Sequence, residues 1–471
     1  MKVAIGQIRA NGSDIERNLE AIVAVADEAR SRDCTWLVLS QDALCGPWIE
    51  DGALRPVAHG DVDGALEALA RRAGGLTVVL CERRPRPDGS RAEDHSPILI
   101  ADGEVSVLEP QAMGGEPSVA NRPCDGWAIR FVRRPYRIGR DEETRRVAER
   151  RVGDHAVGLI EVNGVGLDGE DVLEGGSTVF EAEGGLLLRA ARFETGLFVA
   201  DLQGPRMPWE EEAAEERLAD ALSRGIEDFT RDAGFDRLLV GLSGGVDSAV
   251  VAALAVRALG AEAVAGVFLP SEFTAVQSRD DAREIARRLG IEWVEMPIER
   301  LHEAARTAFA VPPTDVVDEN LQPRLRTVLL MGLANQREAL VLCTGNRSEI
   351  AVGYNTLYGD TIGALAPLGD LYKQDVYRLA EQLAAVVPQS VRDRPPSAEL
   401  RPGQRDDEDL PSYDVLDPIL VAMLDAGSSR EEMIAAGHPA DVVDAVHERF
   451  RRSAYKRRQL PPAIRVRDRR D

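Results

Sequence analysis

The chain has 471 residues, more than one hydrophobic core usually serves, so two domains are expected. Its 80 acidic residues outnumber 57 basic ones, and a formal charge of -23 leaves no basic excess to displace counterions from nucleic acid. No apolar run approaches the ~20 residues that span a bilayer, and MKVAIG opens on a strand pattern rather than a leader, so a cytoplasmic protein with neither membrane nor nucleic-acid partner is expected.

Residues 1 to about 203 read as short strands parted by Gly and Asp turns, at 3–7, 36–39, 76–81, 97–101, 156–162, 178–181 and 197–202. A helix with apolar residues at helical spacing is expected over 14–32. The prolines and acidic run of GPRMPWEEEAAEE mark a linker or a helix start, so the domains are placed at 1–203 and 216–471 with 204–215 between them. From 216 onward helices and strands alternate (helix 218–233, strand 237–242, helix 248–259, strand 263–269, helix 279–289, strand 292–297). That order implies a parallel, doubly wound sheet, whose ligands bind beyond the carboxyl ends of its strands. The stretch VRDRPPSAELRPGQRDDEDLPSYDVLD is rich in Pro and charge and is expected to be a long loop closing over something.

The five cysteines (Cys34, Cys45, Cys81, Cys124, Cys343) are scattered and form no CxxC pair, so reduced thiols are expected rather than a disulfide framework or a zinc site. Lysine occurs only at Lys2, Lys373 and Lys456; arginine supplies the rest of the positive charge.

RLLVGLSGGVDSAV (237–250) carries the chemistry. A buried strand ends in Ser243-Gly244-Gly245-Val246-Asp247-Ser248 and a helix begins at once, so paired glycines let backbone amides approach phosphate oxygens at the positive end of a helix. The bland alternative is a tight strand-to-helix turn with a serine cap. The Gly-Lys-Ser/Thr of the Walker loop is absent.

This stretch resembles the pyrophosphate loop of the adenylating enzymes. Four further segments resemble the synthetase domain of glutamine-dependent NAD synthetases, in order: DENLQPRLRTVLLMGLANQ, VLCTGNRSEIAVGYNTLYGD, RPPSAELRPGQ and AYKRRQLPP. The resemblance implies a pyrophosphate-loop ATPase fold and an acyl-adenylate reaction in which deamido-NAD, ATP and ammonia give NAD. By position it implies ATP contacts at Gly241, Ser243, Gly244, Gly245, Asp247, Ser248, Thr344, Lys373 and Ser397. Magnesium falls to Asp247 and Glu349, and deamido-NAD to Asn320, Arg324, Glu349 and Lys456. Asp247, Glu349 and Lys373 are the implied catalytic set. Arg347 stands where the family usually has lysine. A chain that nearly always uses arginine has put two of its three lysines at these positions, and the compact lysine head is not interchangeable with the arginine fork. A dimer or higher homo-oligomer is the family's habit.

The amino-terminal part resembles a truncated nitrilase-like α/β/β/α domain at both its ends, in VAIGQIRANGSDIERNLEAI and in YRIGRDEETRRVAERRVGDHAVGLIEVNGVG with EGGSTVFEAEGGLLLRAARFE. Such glutaminases need a Glu base, a Lys for the oxyanion and a Cys nucleophile. In LVLSQDALCG the base position holds Gln41, whose amide accepts no proton near neutral pH. The neighbouring Asp42 faces the other side of a regular strand and would need a bulge to replace it. The domain has no lysine but Lys2, and Cys124 in RPCDGW follows GGEPSVANRP, which does not read as a buried strand. The expectation is a degenerate glutaminase with a structural role, with ammonia arriving free or from a separate glutaminase. Competing readings are an amide ligase for another carboxylic acid and a non-catalytic nucleotide-binding scaffold. A carbon–nitrogen hydrolase is disfavoured by the missing lysine.

Overall fold

The computed structural model describes all residues except 13, 47–58, 84–94, 109–110, 114–115, 121–125, 141–156, 312, 405 and 469–471. It divides into two compact units, Met1–Glu212 and Ala213–Asp471. Among the described residues no helix is long and apolar enough to cross a membrane.

Unit 1 is built from β1 (Lys2–Gln7), α1 (Ile15–Ser31), β2 (Trp36–Gln41), α2 (His59–Ala73), β3 (Thr77–Arg83), β4 (His95–Ala101), β5 (Glu104–Val107), β6 (Gln111–Met113), β7 (Glu116–Ala120) and β8 (Trp127–Val132). It continues through β9 (Gly158–Asn163), β10 (Val165–Asp168), β11 (Asp171–Glu174), β12 (Thr178–Phe180), β13 (Leu186–Arg189) and β14 (Gly196–Asp201). One six-stranded sheet has the order β14-β1-β2-β3-β4-β5, the other β13-β12-β9-β8-β7-β6. Their central pairs β1·β2, β2·β3 and β8·β9 are parallel.

The alternation of side chains explains the layers. Val3, Ile5, Val38 and Val79 point one way and meet Ile129, Phe131, Ile160 and Val162 of the second sheet. Ala4, Leu37, Leu39, Val78 and Leu80 point the other way, onto Ile22, Ala26 and Ala29 of α1 and Val62, Leu66 and Leu69 of α2. A strand buried on both faces needs apolar residues at every position, which is why 36–39 shows no polar alternation. Three layers, α/β/β, are thus seen among the described residues, in keeping with the nitrilase-like expectation.

Several elements differ from the sequence reading. α2 escapes the sequence reading because HGDVDGALEALARRA starts with two glycines and two aspartates. β7 is a strand, although GGEPSVANRP reads poorly as one; its pairing with β8 supplies the order that its composition lacks.

Unit 2 holds β15 (Leu238–Gly241), β16 (Val264–Phe268), β17 (Glu292–Glu295) and β18 (Leu340–Leu342), all parallel in the order β17-β16-β15-β18. The chain moves outward from β15 to β17 and then returns to β18 on the other side, so the switch point lies between β15 and β18. The helices are α3 (Ala214–Asp232), α4 (Val246–Leu259), α5 (Val276–Leu289), α6 (Glu299–Thr307), α7 (Asp315–Arg337), α8 (Arg347–Val352) and α9 (Lys373–Gln382). After α10 (Gln389–Arg392) come α11 (Tyr413–Leu424), α12 (Arg430–Ala435), α13 (Ala440–Arg452) and α14 (Ala454–Arg457).

One face of the sheet (Leu239, Val267, Val341) packs on Leu330, Leu333 and Ala334 of α7. A second cluster, in which Leu416, Ile419 and Leu420 of α11 meet Val443 and Val446 of α13, reaches Ala351 and Tyr372 and so supports α8 and the start of α9. The Pro-rich segment begins in the end of α10, and among the described residues it then runs as a loop with one 3-10 turn (Asp406–Glu408) to Ser412; its last residues, YDVLD, begin α11 because Leu416, Ile419 and Leu420 bury at helical spacing.

Candidate active site

The turn after β15 is shaped by one glycine. Gly244 has φ +80°, and a Cβ there would lie 2.4 Å from the Ser278 carbonyl oxygen. Ser243 Oγ accepts from Gly245 N at 3.2 Å and lies 3.1 Å from Ser248 Oγ, which donates to Gly245 O at 3.0 Å. The serines therefore close the turn on itself. α4 then starts with no side chain capping its first amides, which leaves the positive helix end open to an anion.

From the neighbouring β18 the chain runs through Thr344 to Asn346, which caps α8. Its Oδ1 accepts from Glu349 N at 3.1 Å, and its Nδ2 donates to Asp247 Oδ1 at 2.9 Å. One amide thus joins the two strand ends that flank the switch point. Lys373, the first residue of α9, places Nζ 2.5 Å from Asp247 Oδ2 and 3.3 Å from Glu349 Oε1. Its backbone N–H donates to Ser348 Oγ at 2.9 Å, and buried Asp417 accepts from both Ser348 Oγ and Gln374 N, at 2.5 and 2.9 Å.

The electrostatics follow from this burial. Desolvation alone would lower the Lys373 ammonium, but Asp247 and Glu349 outweigh it and raise the group above its ordinary value. Desolvation raises Glu349 to about 7, with Lys373 opposing and Asp247 and Asp406 adding. Burial likewise raises Asp406. Three acids face one lysine, so negative charge is in excess at this point.

A cavity of about 310 Å³ opens here; Gly241, Ser243, Gly245, Asp247, Thr344, Glu349, Lys373 and Ser397 all line it. A second, of about 110 Å³, shares Ser243, Asp247, Thr344 and Glu349 and adds Ser248. Gly244 shapes the turn without lining either cavity. Ser397 Oγ donates to Gln404 O at 2.6 Å and accepts from Glu399 N at 3.2 Å, so it organises the covering loop.

Asn320, Arg324 and Lys456 are brought together elsewhere. Asn320 Oδ1 accepts from Thr356 Oγ1 at 2.7 Å, Arg324 Nε donates to Leu357 O at 3.2 Å, and Lys456 Nζ donates to the Gly353 and Asn355 carbonyls. Burial lowers the Lys456 ammonium. All three hold the 353–357 connection, and none lines either cavity.

Other residues at the cavities escaped the sequence reading. Arg326 lines the larger one, donates to Leu269 O at 2.8 Å and is lowered by burial to about 10. Its signal was the second arginine of QPRLRT. Asp360 opens onto both cavities, and desolvation by the surrounding protein raises its carboxyl to about 6. Glu399 accepts from Ser278 Oγ at 2.6 Å and from Arg394 at 2.5 Å, tying the covering loop to α5. Arg347 lines neither cavity: it pairs with Asp370 at 3.0 Å and Asp425 at 2.7 Å over the Tyr372 ring.

Among the described residues no three His, Cys, Asp or Glu side chains converge on one point to hold a metal. Asp247 and Glu349 nonetheless fit magnesium, which is commonly bound through one or two carboxylates with substrate phosphates and water supplying the rest.

In unit 1 the ladder between β2 and β3 shifts register between Val38 and Gln41. Past that bulge Asp42 has φ +55°, and Gln41 and Asp42 line the same cavity of about 40 Å³ with Arg9, Arg133 and Asp168. The bulge that an Asp42 replacement requires is therefore present. Asp42 Oδ2 is, however, engaged by His95 Nε2 at 2.9 Å. Glu82 beside it is buried and accepts from Leu44 N at 2.8 Å and Cys45 N at 3.0 Å. Cys124 lies outside the described residues; Cys34, Cys81 and Cys343 are free and buried, and Cys45 is buried.

A parallel sheet that gathers open helix amides, carboxylates and a buried lysine at its switch point is the architecture of the pyrophosphate-loop class, and unit 2 is of that class. The sequence model of the NAD synthase family matches residues 218–461. The chain is 35% identical over 528 residues to a glutamine-dependent NAD(+) synthetase of Xylella fastidiosa (strain Temecula1), covering 99% of this chain and 96% of that protein. A relative of the same description from Xanthomonas campestris pv. campestris (strain 8004) is 41% identical over 423 residues, covering 86% and 77%. The solved structure of glutamine-dependent NAD+ synthetase from Acinetobacter baumannii in complex with ADP matches with a TM-score of 0.73 and 27% identity, covering 100% and 96%. The chain belongs to the NAD synthase family, a family of carbon–nitrogen ligases.

Proposed function

We propose that unit 2 makes NAD from deamido-NAD, ATP and ammonia by way of an acyl adenylate, and that unit 1 does not hydrolyse glutamine. The observation that carries the first part is the meeting of Asp247, Glu349 and Lys373 beside an uncapped helix end, in a cavity lined by the loop after β15. In this reading a carboxylate oxygen of deamido-NAD bonds to the α-phosphorus of ATP while the bond to the β-phosphate oxygen breaks and pyrophosphate leaves. Ammonia then bonds to the acyl carbon, AMP leaves, and one proton is lost.

Two anions must approach, so the residues act mainly through charge. Amides of the first turn of α4 receive phosphate oxygens, Lys373 neutralises them, and Asn346 fixes the angle of Asp247. Magnesium held by Asp247 and Glu349 would supply further neutralisation of the phosphate charge. Asn320, Arg324 and Lys456 set the shape of the 353–357 connection that borders deamido-NAD.

The second part is supported by Gln41 at the base position, by the absence of lysine between Lys2 and Lys373, and by the engagement of Asp42 with His95. Unit 1 then serves assembly. Self-association is further supported by exposed Val317, Val328 and Met331, which share one face of α7 with Arg324.

The test incubates the full chain with deamido-NAD, ATP and Mg2+, plus either ammonium or glutamine, and measures NAD and AMP. NAD from ammonium alone is expected. Glutamine use comparable to ammonium would overturn the reading of unit 1, and AMP formed only with other acids would overturn the assignment of deamido-NAD.

A further inference from the structure

We infer that Lys373 is a resident stand-in for the metal: in the ligand-free enzyme its ammonium occupies the metal-facing oxygens of Asp247 and Glu349, and it must move to ATP phosphate before a divalent cation can bind. The metal therefore enters with or after the nucleotide and not ahead of it. This rests on the reading above, in which those two carboxylates hold magnesium and the loop after β15 holds the phosphates.

The four carboxylate oxygens divide cleanly. Asp247 Oδ1 is taken by Asn346 Nδ2 at 2.9 Å, and Glu349 Oε2 faces Asn346 N at 3.5 Å. The two remaining oxygens are the ones Lys373 Nζ holds, at 2.5 and 3.3 Å. A magnesium ion needs oxygens at about 2.1 Å and cannot share them with an ammonium group in a buried site, where two like charges repel at low dielectric.

The lysine has somewhere to go, and only its head needs to move. Its backbone is pinned by Ser348 Oγ, and the next N–H by Asp417. Its side chain, 2% exposed, borders the larger cavity together with Gly241, Ser243 and Gly245. Arriving phosphates offer the ammonium a new anion there and release both carboxylates. A flexible stem with a compact head suits that exchange, whereas a rigid guanidinium fork does not, which accounts for lysine at 373 in a chain with only three lysines.

Linkage makes the exchange measurable: nucleotide must raise metal affinity by the factor that metal raises nucleotide affinity. The experiment titrates the full chain with Mn2+ alone, following free Mn2+ by electron paramagnetic resonance, with and without α,β-methylene-ATP and after subtracting metal held by the free analogue. Wild-type protein is expected to bind Mn2+ at least about tenfold more tightly with the analogue present. Lys373→Met is expected to bind Mn2+ without nucleotide at least about tenfold more tightly than wild type, and to respond less to the analogue. Equal wild-type affinity with and without the analogue would overturn the inference, as would a folded Lys373→Met with no gain. The wild-type arm needs no variant to fold, and neither arm needs turnover, so a failure to form NAD in the assay above leaves this result readable.

Discussion

Gln41 stands opposite Cys81 across the β2–β3 ladder, one residue out of the register set by Val38 and Val79. The bulge turns the strand end so that Gln41 and Asp42 border one cavity, and Asp42 is drawn to His95. On the proposed reading of unit 1, the base position holds an amide and the adjoining carboxylate already has a partner. Restoring the acid with Gln41→Glu is expected to leave glutamine-supported NAD formation below about a hundredth of the ammonium-supported rate, since one proton acceptor supplies neither lysine nor nucleophile. The check is NAD formed per minute from each nitrogen source.

Glu82 predicts a pH dependence for unit 1. Burial first, and the Asp42 charge second, raise its carboxyl from 4.5 to about 8. The folded state therefore holds a proton that the unfolded state has already released between those values. Stability must fall as pH rises through that window and level off above about pH 8. Glu82→Gln, which has no carboxyl to ionise, is expected to flatten that fall. Urea midpoints of both proteins at pH 5, 6.5 and 8 decide it; parallel curves would show that Glu82 does not contribute.

What could be read ahead of the structure was what local chemistry writes into adjacent residues. Ser243 to Ser248 announced the phosphate turn because glycine pairs and a following helix lie in one short segment. Lys373 stood out because the chain has so few lysines. Asn346 did not, since its bond to Asp247 joins residues 99 apart in sequence. Arg347 sits in the same motif as Glu349, yet its partners Asp370 and Asp425 come from distant segments and turn it from the cavities. In unit 1 the bulge before Gln41 is a property of two paired strands and leaves no mark on either one alone.

Gly244→Ala tests the turn. The added methyl group would meet the Ser278 carbonyl oxygen, and φ +80° disfavours any side chain at a cost of about 1–3 kcal/mol. The turn can relax by moving Gly245, whose N–H donates to Ser243 Oγ at 3.2 Å and which leads into the open amides of α4. Nucleotide binding is expected to weaken by at least about tenfold while the thermal midpoint falls by a few degrees. Calorimetric titration with α,β-methylene-ATP reads the first effect and a melting curve the second.

Asn346 performs two jobs that substitution can separate. Its Oδ1 caps α8 through Glu349 N, and its Nδ2 holds Asp247 Oδ1. Asn346→Asp keeps an oxygen for the cap but sets a second negative charge against Asp247. Asn346→Ala loses both contacts. Loss of the cap costs about 1 kcal/mol, so the alanine variant should melt lower than the aspartate variant. Turnover should rank the other way or fall equally, by about a hundredfold, because either change frees Asp247 from the angle that serves the phosphates. If Asn346→Asp kept wild-type kcat, the Asn346–Asp247 bond would be structural only; if it lost kcat while retaining the wild-type melting point, holding Asp247 would be the amide's catalytic contribution.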